Sequence, residues 1–202
     1  WTAVRAHQGE AWVGREARGI PEFSEWLGYS AGAALGVGVS ESPLDSALGA
    51  ARQAGIPVRW VLLGEGWQQT DDDDRRLSTF EADRRRHPHG LARAVERLAG
   101  SHGLRHIGAW VHLHGAWGGV ATKLASGARL VAGADGSQVP HPSEAGLPFY
   151  SAWLDALSTA GLDFAWVAGV GGGRAVYLAR MALGEAVAGQ LASLERAASA
   201  AE

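Results

Sequence analysis

Four short apolar runs alternate with longer helical stretches along this chain, and that alternation restricts the fold more than any other feature. The runs are Trp26 to Ser30, Val58 to Leu63, Leu104 to Leu113 and Leu162 to Ala168. Ser42 and Pro43 read as the N-cap and first residue of a helix that reaches Ala54, with Leu44, Leu48 and Ala51 on one face. Gly55-Ile56-Pro57 then breaks it. Gly90 to Gly100 is a second helix with Leu91, Val95 and Leu98 on its apolar stripe. Glu144 to Ala160 is a third, carrying Leu147, Tyr150, Trp153, Leu154 and Leu157, and Arg174 to Ala198 is a long Ala-rich fourth. Strands that alternate with helices make βα units, and strands apolar on both faces belong to a parallel sheet. The units recur about every 40–45 residues, without a visible sequence repeat or domain boundary. The expected fold is therefore α/β, with four βα units in one domain over 1–202. An open doubly wound sheet is the alternative to a barrel segment.

Composition removes several partners. The chain has 202 residues, 47% apolar and 19% charged, with a net charge of −3. That gives neither the basic footprint of a nucleic-acid binder nor a polybasic membrane patch. No apolar run approaches the roughly 20 residues of a membrane helix. The sequence opens on Trp1 rather than Met, so its natural start is expected elsewhere. No secretory pattern stands at the start, and a cytoplasmic location is expected. The absence of cysteine excludes disulfides and thiolate metal sites. Gly is frequent at 29 residues, and there are 9 Trp, three of them near predicted strand ends. Glycine loops and indoles suit a cleft that stacks on flat apolar faces such as sugar rings, although core Trp and loop Gly explain the same counts.

LLGEGWQ (Leu62 to Gln68), FEAD (Phe80 to Asp83), HPHGL (His87 to Leu91) and AWVHLHGAWGG (Ala109 to Gly119) follow one another in order. This succession resembles the raffinose synthase, seed imbibition protein and alkaline α-galactosidase family, over roughly Trp12 to Leu191. The resemblance implies a TIM-barrel catalytic domain of which this chain holds about the first four βα units of eight. It also implies hydrolysis or transfer of α-galactosyl groups without a metal or organic cofactor. The family's first strand carries LG, an aromatic, and later a second Trp with an acid or amide. Here Leu27-Gly28-Tyr29 keeps the start, and Ala33 stands where the acid or amide would be. The second strand of the family ends in a pair of acids before GWQ. Gly64 replaces one and Glu65 the other. In the third strand Trp110 and the WGG of Trp117-Gly118-Gly119 are kept, while Val111 replaces a His. In the fourth, Trp166 replaces a Lys and Ala168 replaces the nucleophilic Asp. The family's general acid lies on a later strand, which this sequence is not expected to reach.

Retaining glycoside hydrolysis needs two carboxyl groups about 5–5.5 Å apart. Ala168 cannot attack an anomeric carbon, and Val167 and Gly169 do not replace it. Asp163 lies five residues back, near the other end of the strand. Glu65 is the one acid left at a matching strand end, and a lone carboxylate can bind a hydroxyl but cannot fill both roles. Active sites of βα barrels lie at strand C-termini. The expected binding residues are therefore Glu65, Trp67, His112, His114, Trp117 and Trp166, with no catalytic residue, no metal ligand and no cofactor. The expected ligand is an α-galactoside or another small sugar, and the open edges of a partial barrel are expected to drive self-association. A non-catalytic sugar-binding or scaffolding remnant is a second reading. A metal-dependent hydrolase is a third, built on the pairs His112/His114 and His87/His89, since imidazoles two apart on a strand share a face and suit zinc. No acid or Cys sits at ligand spacing beside either pair, so plain surface or loop histidines are the simpler account. Gly171 to Gly173 before a helix lacks the Lys-Ser/Thr of a phosphate loop and reads as a flexible turn. The acid run Asp71 to Asp74 reads as solvated.

Overall fold

The computed structural model describes residues 22–71, 75–125, 127–133, 136–168, 192–194 and 196–197. A short 3-10 turn, Glu22–Glu25, leads into β1 (Leu27–Ser30) and the one-turn helix α1 (Ala31–Leu35). Helix α2 (Glu41–Gln53) and β2 (Val58–Leu63) follow. Next come an antiparallel pair, β3 (Gln68–Thr70) and β4 (Leu77–Ala82), and helix α3 (Leu91–His102). Strand β5 (His106–His112) precedes a small ribbon of β6 (Leu130–Ala132) and β7 (Gln138–Pro140). Helix α4 (Leu147–Thr159) and β8 (Phe164–Ala168) complete the order.

The main sheet is parallel, in the order β1-β2-β5-β8. Each strand lies beside the next main-sheet strand in the chain, joined by a helical crossover. Such crossovers are right-handed almost without exception, so successive ones place their helices on one face. A doubly wound sheet reverses strand order at a switch point. This sheet does not, so the barrel-type arrangement is the one observed.

The alternation of side chains along each strand divides the sheet into two unlike faces. Val61 and Leu63 of β2, with Ile107, Ala109 and Val111 of β5, are buried in one apolar core. That core also holds Leu44 and Leu48 from α2, Leu91, Val95 and Leu98 from α3, and Phe149, Tyr150, Trp153 and Leu157 from α4. The opposite face is aromatic. Gly28 pairs with Trp60, Gly108 with Phe164, and Trp110 with Trp166 across neighbouring strands. A Cβ on Gly28 would fall 1.9 Å from the Trp60 indole, and one on Gly108 would fall 2.3 Å from the Phe164 ring. The two glycines are the seats of those rings. Phe23 closes this cluster at the N-terminal end of the strands, stacked on Phe164 at 4.5 Å and edge-on to Trp60 at 5.7 Å.

Charged pairs tie α2 to α3 outside the core. Arg97 bonds Glu41 at 2.8 Å and Asp45 at 3.3 Å, and His102 Nε2 lies 2.9 Å from Asp45. Tyr150 anchors α4 to the sheet by donating its hydroxyl to the Leu113 carbonyl at 2.9 Å.

Several boundaries differ from the sequence reading. Helix α2 starts two residues earlier, with Ser40 rather than Ser42 at the cap, and Pro43 sits inside the first turn, where no backbone N–H is needed. Glu144 to Gly146 is a 3-10 turn, not the start of α4, and the Ser143 hydroxyl accepts the Ala145 N–H. Neither two-stranded ribbon was expected. Their strands are three to six residues long, and Gln68-Gln69-Thr70 carries no apolar alternation to announce it. Most of the predicted helix from Arg174 to Ala198 lies outside the described residues, as do Gly171 to Gly173. Among the described residues no helix is long and apolar enough to cross a membrane.

Candidate functional site

The C-terminal ends of β2, β5 and β8 bring a compact set of polar and aromatic groups together. After Leu63 the chain turns through Gly64-Glu65-Gly66 before Trp67. This turn is held from two sides. The Gly38 N–H donates to the Glu65 carbonyl at 2.8 Å. Arg86 donates to the Gly66 carbonyl at 2.9 Å and to Asp83 at 2.7 Å. Asp83 is fully buried and also bonds Arg85 at 3.0 Å. Burial raises its carboxyl pKa, but the hydrogen bonds from Arg85 and the charges of Arg86 and Arg85 outweigh that and hold it below the usual range. The FEAD segment is thus a charged brace under the Glu65 turn.

Helix α1 and the loop after it also press directly on this turn. A Cβ on Gly64 would fall 2.4 Å from both Cα and N of Gly32. A Cβ on Gly66 would fall 2.7 Å from Cα and N of Gly38. Main chain therefore fills the space that a side chain at position 64 would need.

Glu65 meets Trp117, whose indole N–H donates to its carboxylate. Trp117 is 63% exposed. Its ring lies 4.7 Å from His112 and 6.2 Å from Trp110. Trp110 and His112 are 5.8 Å apart and share one face of β5. Trp166, 61% exposed, stands beside Trp110 in register on β8, and Ala168 stands beside His112. His114 is buried in the turn that follows, 5.2 Å from His112. Its main-chain N–H donates to His112 Nδ1 at 3.2 Å, which leaves the proton of a neutral His112 on Nε2. Burial, and then the neighbouring His114, push the His112 imidazole down to about 4.

Of the six residues expected at a binding site, Glu65, His112, His114 and Trp117 form one contact group, and Trp166 flanks it through Trp110. Trp67 lies elsewhere. It is 1% exposed, in the core, and its indole donates to the Trp110 carbonyl at 2.7 Å. It ties the turn after β2 to β5 beneath the surface group. Trp110 was not among the expected residues, although its two-residue spacing from His112 places both on one face.

The other candidates do not gather. His87 is 2% exposed beside Glu41, whereas His89 is exposed, so the pair shares no face. Burial lowers the His87 pKa despite the opposing pull of Glu41 and Asp83. Among the described residues no three His, Cys, Asp or Glu side chains come together as metal ligands. Asp71 accepts the N–H groups of Arg75 and Arg76 and pairs with the Arg76 side chain at 2.5 Å; Asp72 to Asp74 lie outside the described residues. Asp163 sits at the opposite end of β8, where its carboxylate accepts the Ile107 N–H at 2.8 Å.

No family model and no curated protein matches the chain. Solved structures do. An α-galactosidase from Lactobacillus brevis matches with a TM-score of 0.60 at 14% identity, over 87% of this chain and 25% of that one. A variant GH36 α-galactosidase from Geobacillus stearothermophilus, in complex with raffinose, matches with a TM-score of 0.58 at 16% identity, over 85% of this chain and 25% of that one. An α-galactosidase from Thermus thermophilus, in complex with p-nitrophenyl α-D-galactopyranoside, gives a TM-score of 0.55 at 17% identity, over 86% and 36%. At these identities the likeness is one of fold. The chain spans about a quarter of the length of the first of these, and its parallel sheet matches part of the TIM-barrel domain of such enzymes.

The His112 environment sets a pH dependence. Its pKa is about 4 when folded and 6.5 when exposed, so between those values the unfolded chain binds the proton more readily. The stability it contributes is complete above pH 6.5 and is lost as pH falls toward 4, on the order of 3 kcal/mol in all. His87, also depressed, acts in the same direction. In urea unfolding at pH 7 and pH 4.5, His112→Asn is expected to lose clearly less stability on acidification than the parent; equal losses would contradict this.

Proposed function

We propose that this chain is a single barrel-segment domain over 1–202, of the raffinose synthase and α-galactosidase type. It binds an α-galactoside or another small sugar at its strand C-termini and does not cleave it. The motifs from Leu62 to Gly119 and the likeness to α-galactosidase barrels support the sugar-processing ancestry. The observation that carries the non-catalytic reading is the acid count at the described strand ends. Glu65 is there alone, Ala168 stands where the resemblance puts the nucleophile, and main chain occupies the space beside Gly64. One carboxylate can accept a hydroxyl but cannot serve as both nucleophile and acid. Exposed indoles at Trp117 and Trp166 supply the stacking surface for a sugar ring.

Two outcomes are expected. Hydrolysis of a nitrophenyl α-galactoside stays at the uncatalysed background, since loss of a covalent nucleophile removes several orders of magnitude in rate. Turnover that disappears on Glu65→Gln would overturn the non-catalytic reading. Millimolar galactoside changes the Trp fluorescence of the parent, and Trp117→Ala removes most of the change. A flat response in both proteins would remove the sugar site.

The same proposal includes self-association. Strands β1 and β8 are the outer strands of the described main sheet, and Trp166 on β8 is exposed. Unpaired edges and exposed apolar surface favour pairing with another chain. Sedimentation is expected to show concentration-dependent oligomers, and a monodisperse monomer across the concentration range would contradict this part of the proposal.

A further inference from the structure

We propose that the Glu65–Trp117–Trp110–Trp166 group is a site for a small organic ammonium ion, so that an aminated ligand is preferred over its neutral counterpart. The inference rests on the reading of this group as a ligand site and adds the charge of what it takes.

The chemistry of the group favours a cation. It combines the exposed indole of Trp117, the half-buried Trp110 ring 6.2 Å from it, the exposed indole of Trp166 in register beside Trp110 on the next strand, and one carboxylate at Glu65. Indole faces carry the negative part of the ring quadrupole and attract ammonium groups within about 6 Å of the centroid. Trp117 turns its N–H edge, the positive part of the ring, toward Glu65, and 63% of the residue remains open to solvent. Carboxylate and aromatic faces thus act on a cation with the same sign.

No competing positive charge is committed to the site. Among the described residues no Lys, Arg or His nitrogen lies within ion-pair distance of Glu65. Arg86, which braces the turn, spends its guanidinium on Asp83 and the Gly66 carbonyl. His112, the imidazole against Trp117, is neutral at pH 7 because it is buried. A neutral sugar is served less well, because sugar specificity needs several converging hydrogen-bond partners, and Glu65 is the one charged acceptor here.

A matched pair of probes tests the charge alone. Choline and dimethylbutanol, its neutral carbon isostere, have the same shape. Titrated against the full chain by calorimetry and Trp fluorescence, choline is expected to bind about tenfold tighter, the scale of a cation held by an aromatic face together with a carboxylate. Glu65→Gln keeps an acceptor for the Trp117 N–H and removes the charge, so it should erase most of that difference. Equal binding of the two probes, or a preference that survives Glu65→Gln, overturns the inference. Galactosamine against galactose identifies the source of the ammonium: a preference for galactosamine points to an amino sugar, and a preference confined to choline points to a quaternary amine. Either supports the inference. Galactose bound as tightly as both amines overturns it while leaving the sugar-binding reading in place. Choline bound with no response to either sugar supports the inference and defeats the sugar-binding reading. No response to any probe defeats both.

Discussion

The contact on which the rest of this structure depends is backbone against backbone, between Gly32 in α1 and Gly64 just after β2. A single methyl on Gly64 would stand 2.4 Å from Gly32. Because neither residue has a side chain, the first crossover can lie directly on the second strand end, and Gly38 and Gly66 make a second such contact, six residues beyond Gly32 and two beyond Gly64. The hydrogen bond from Gly38 to the Glu65 carbonyl then fixes the turn, and the buried Asp83–Arg86 pair holds it from the other side. Glu65 is left as the side chain that this rigid turn presents. The same packing that positions one acid leaves no room for a neighbour.

The consequences reach across the sheet. With one acid at the described strand ends, the polar chemistry reduces to a carboxylate among aromatic rings. The strands support that outcome structurally. Gly28 and Gly108 give up their side chains to seat Trp60 and Phe164 at the N-terminal end of the aromatic face, and Trp110 and Trp166 carry it to the C-terminal end. His112 sits at the junction of this face with the core, where burial keeps its imidazole uncharged. Asp83 shows the opposite solution: its side chain is also buried, yet it stays ionised, because two guanidiniums bond it.

Much of the fold was legible in the sequence, because its main signals are local. Val58 to Leu63 is a continuous apolar run closed by Gly55-Ile56-Pro57 on one side and Gly64 on the other, and it is β2 residue for residue. The stripe Leu91, Val95 and Leu98 on α3 is buried as its spacing requires. What could not be read depended on partners distant in sequence. Gln68 to Thr70 becomes a strand because Leu77 to Ala82 lies beside it, not through any pattern of its own. Trp67 and Trp117 both stand four or five residues after a strand, in glycine-containing turns. One is a core residue bonded to the Trp110 carbonyl and the other is an exposed indole bonded to Glu65. Sequence position does not separate them; the depth of each turn does. Trp110 could have been found, since its two-residue offset from His112 already placed both on one face.

The claim that main chain closes the place of a second acid is tested most directly by the stability of Gly64→Ala, set beside Gly49→Ala. Gly49 lies in the middle of α2, and a Cβ there would meet nothing within 4 Å. Replacing it should leave the protein as stable as before or more stable by about 0.5–1 kcal/mol. Gly64→Ala should lose about 2 kcal/mol or more in urea unfolding, because backbone on both sides of the contact has to move. A Gly64→Ala protein as stable as the parent would contradict the account, since a side chain could then enter that space.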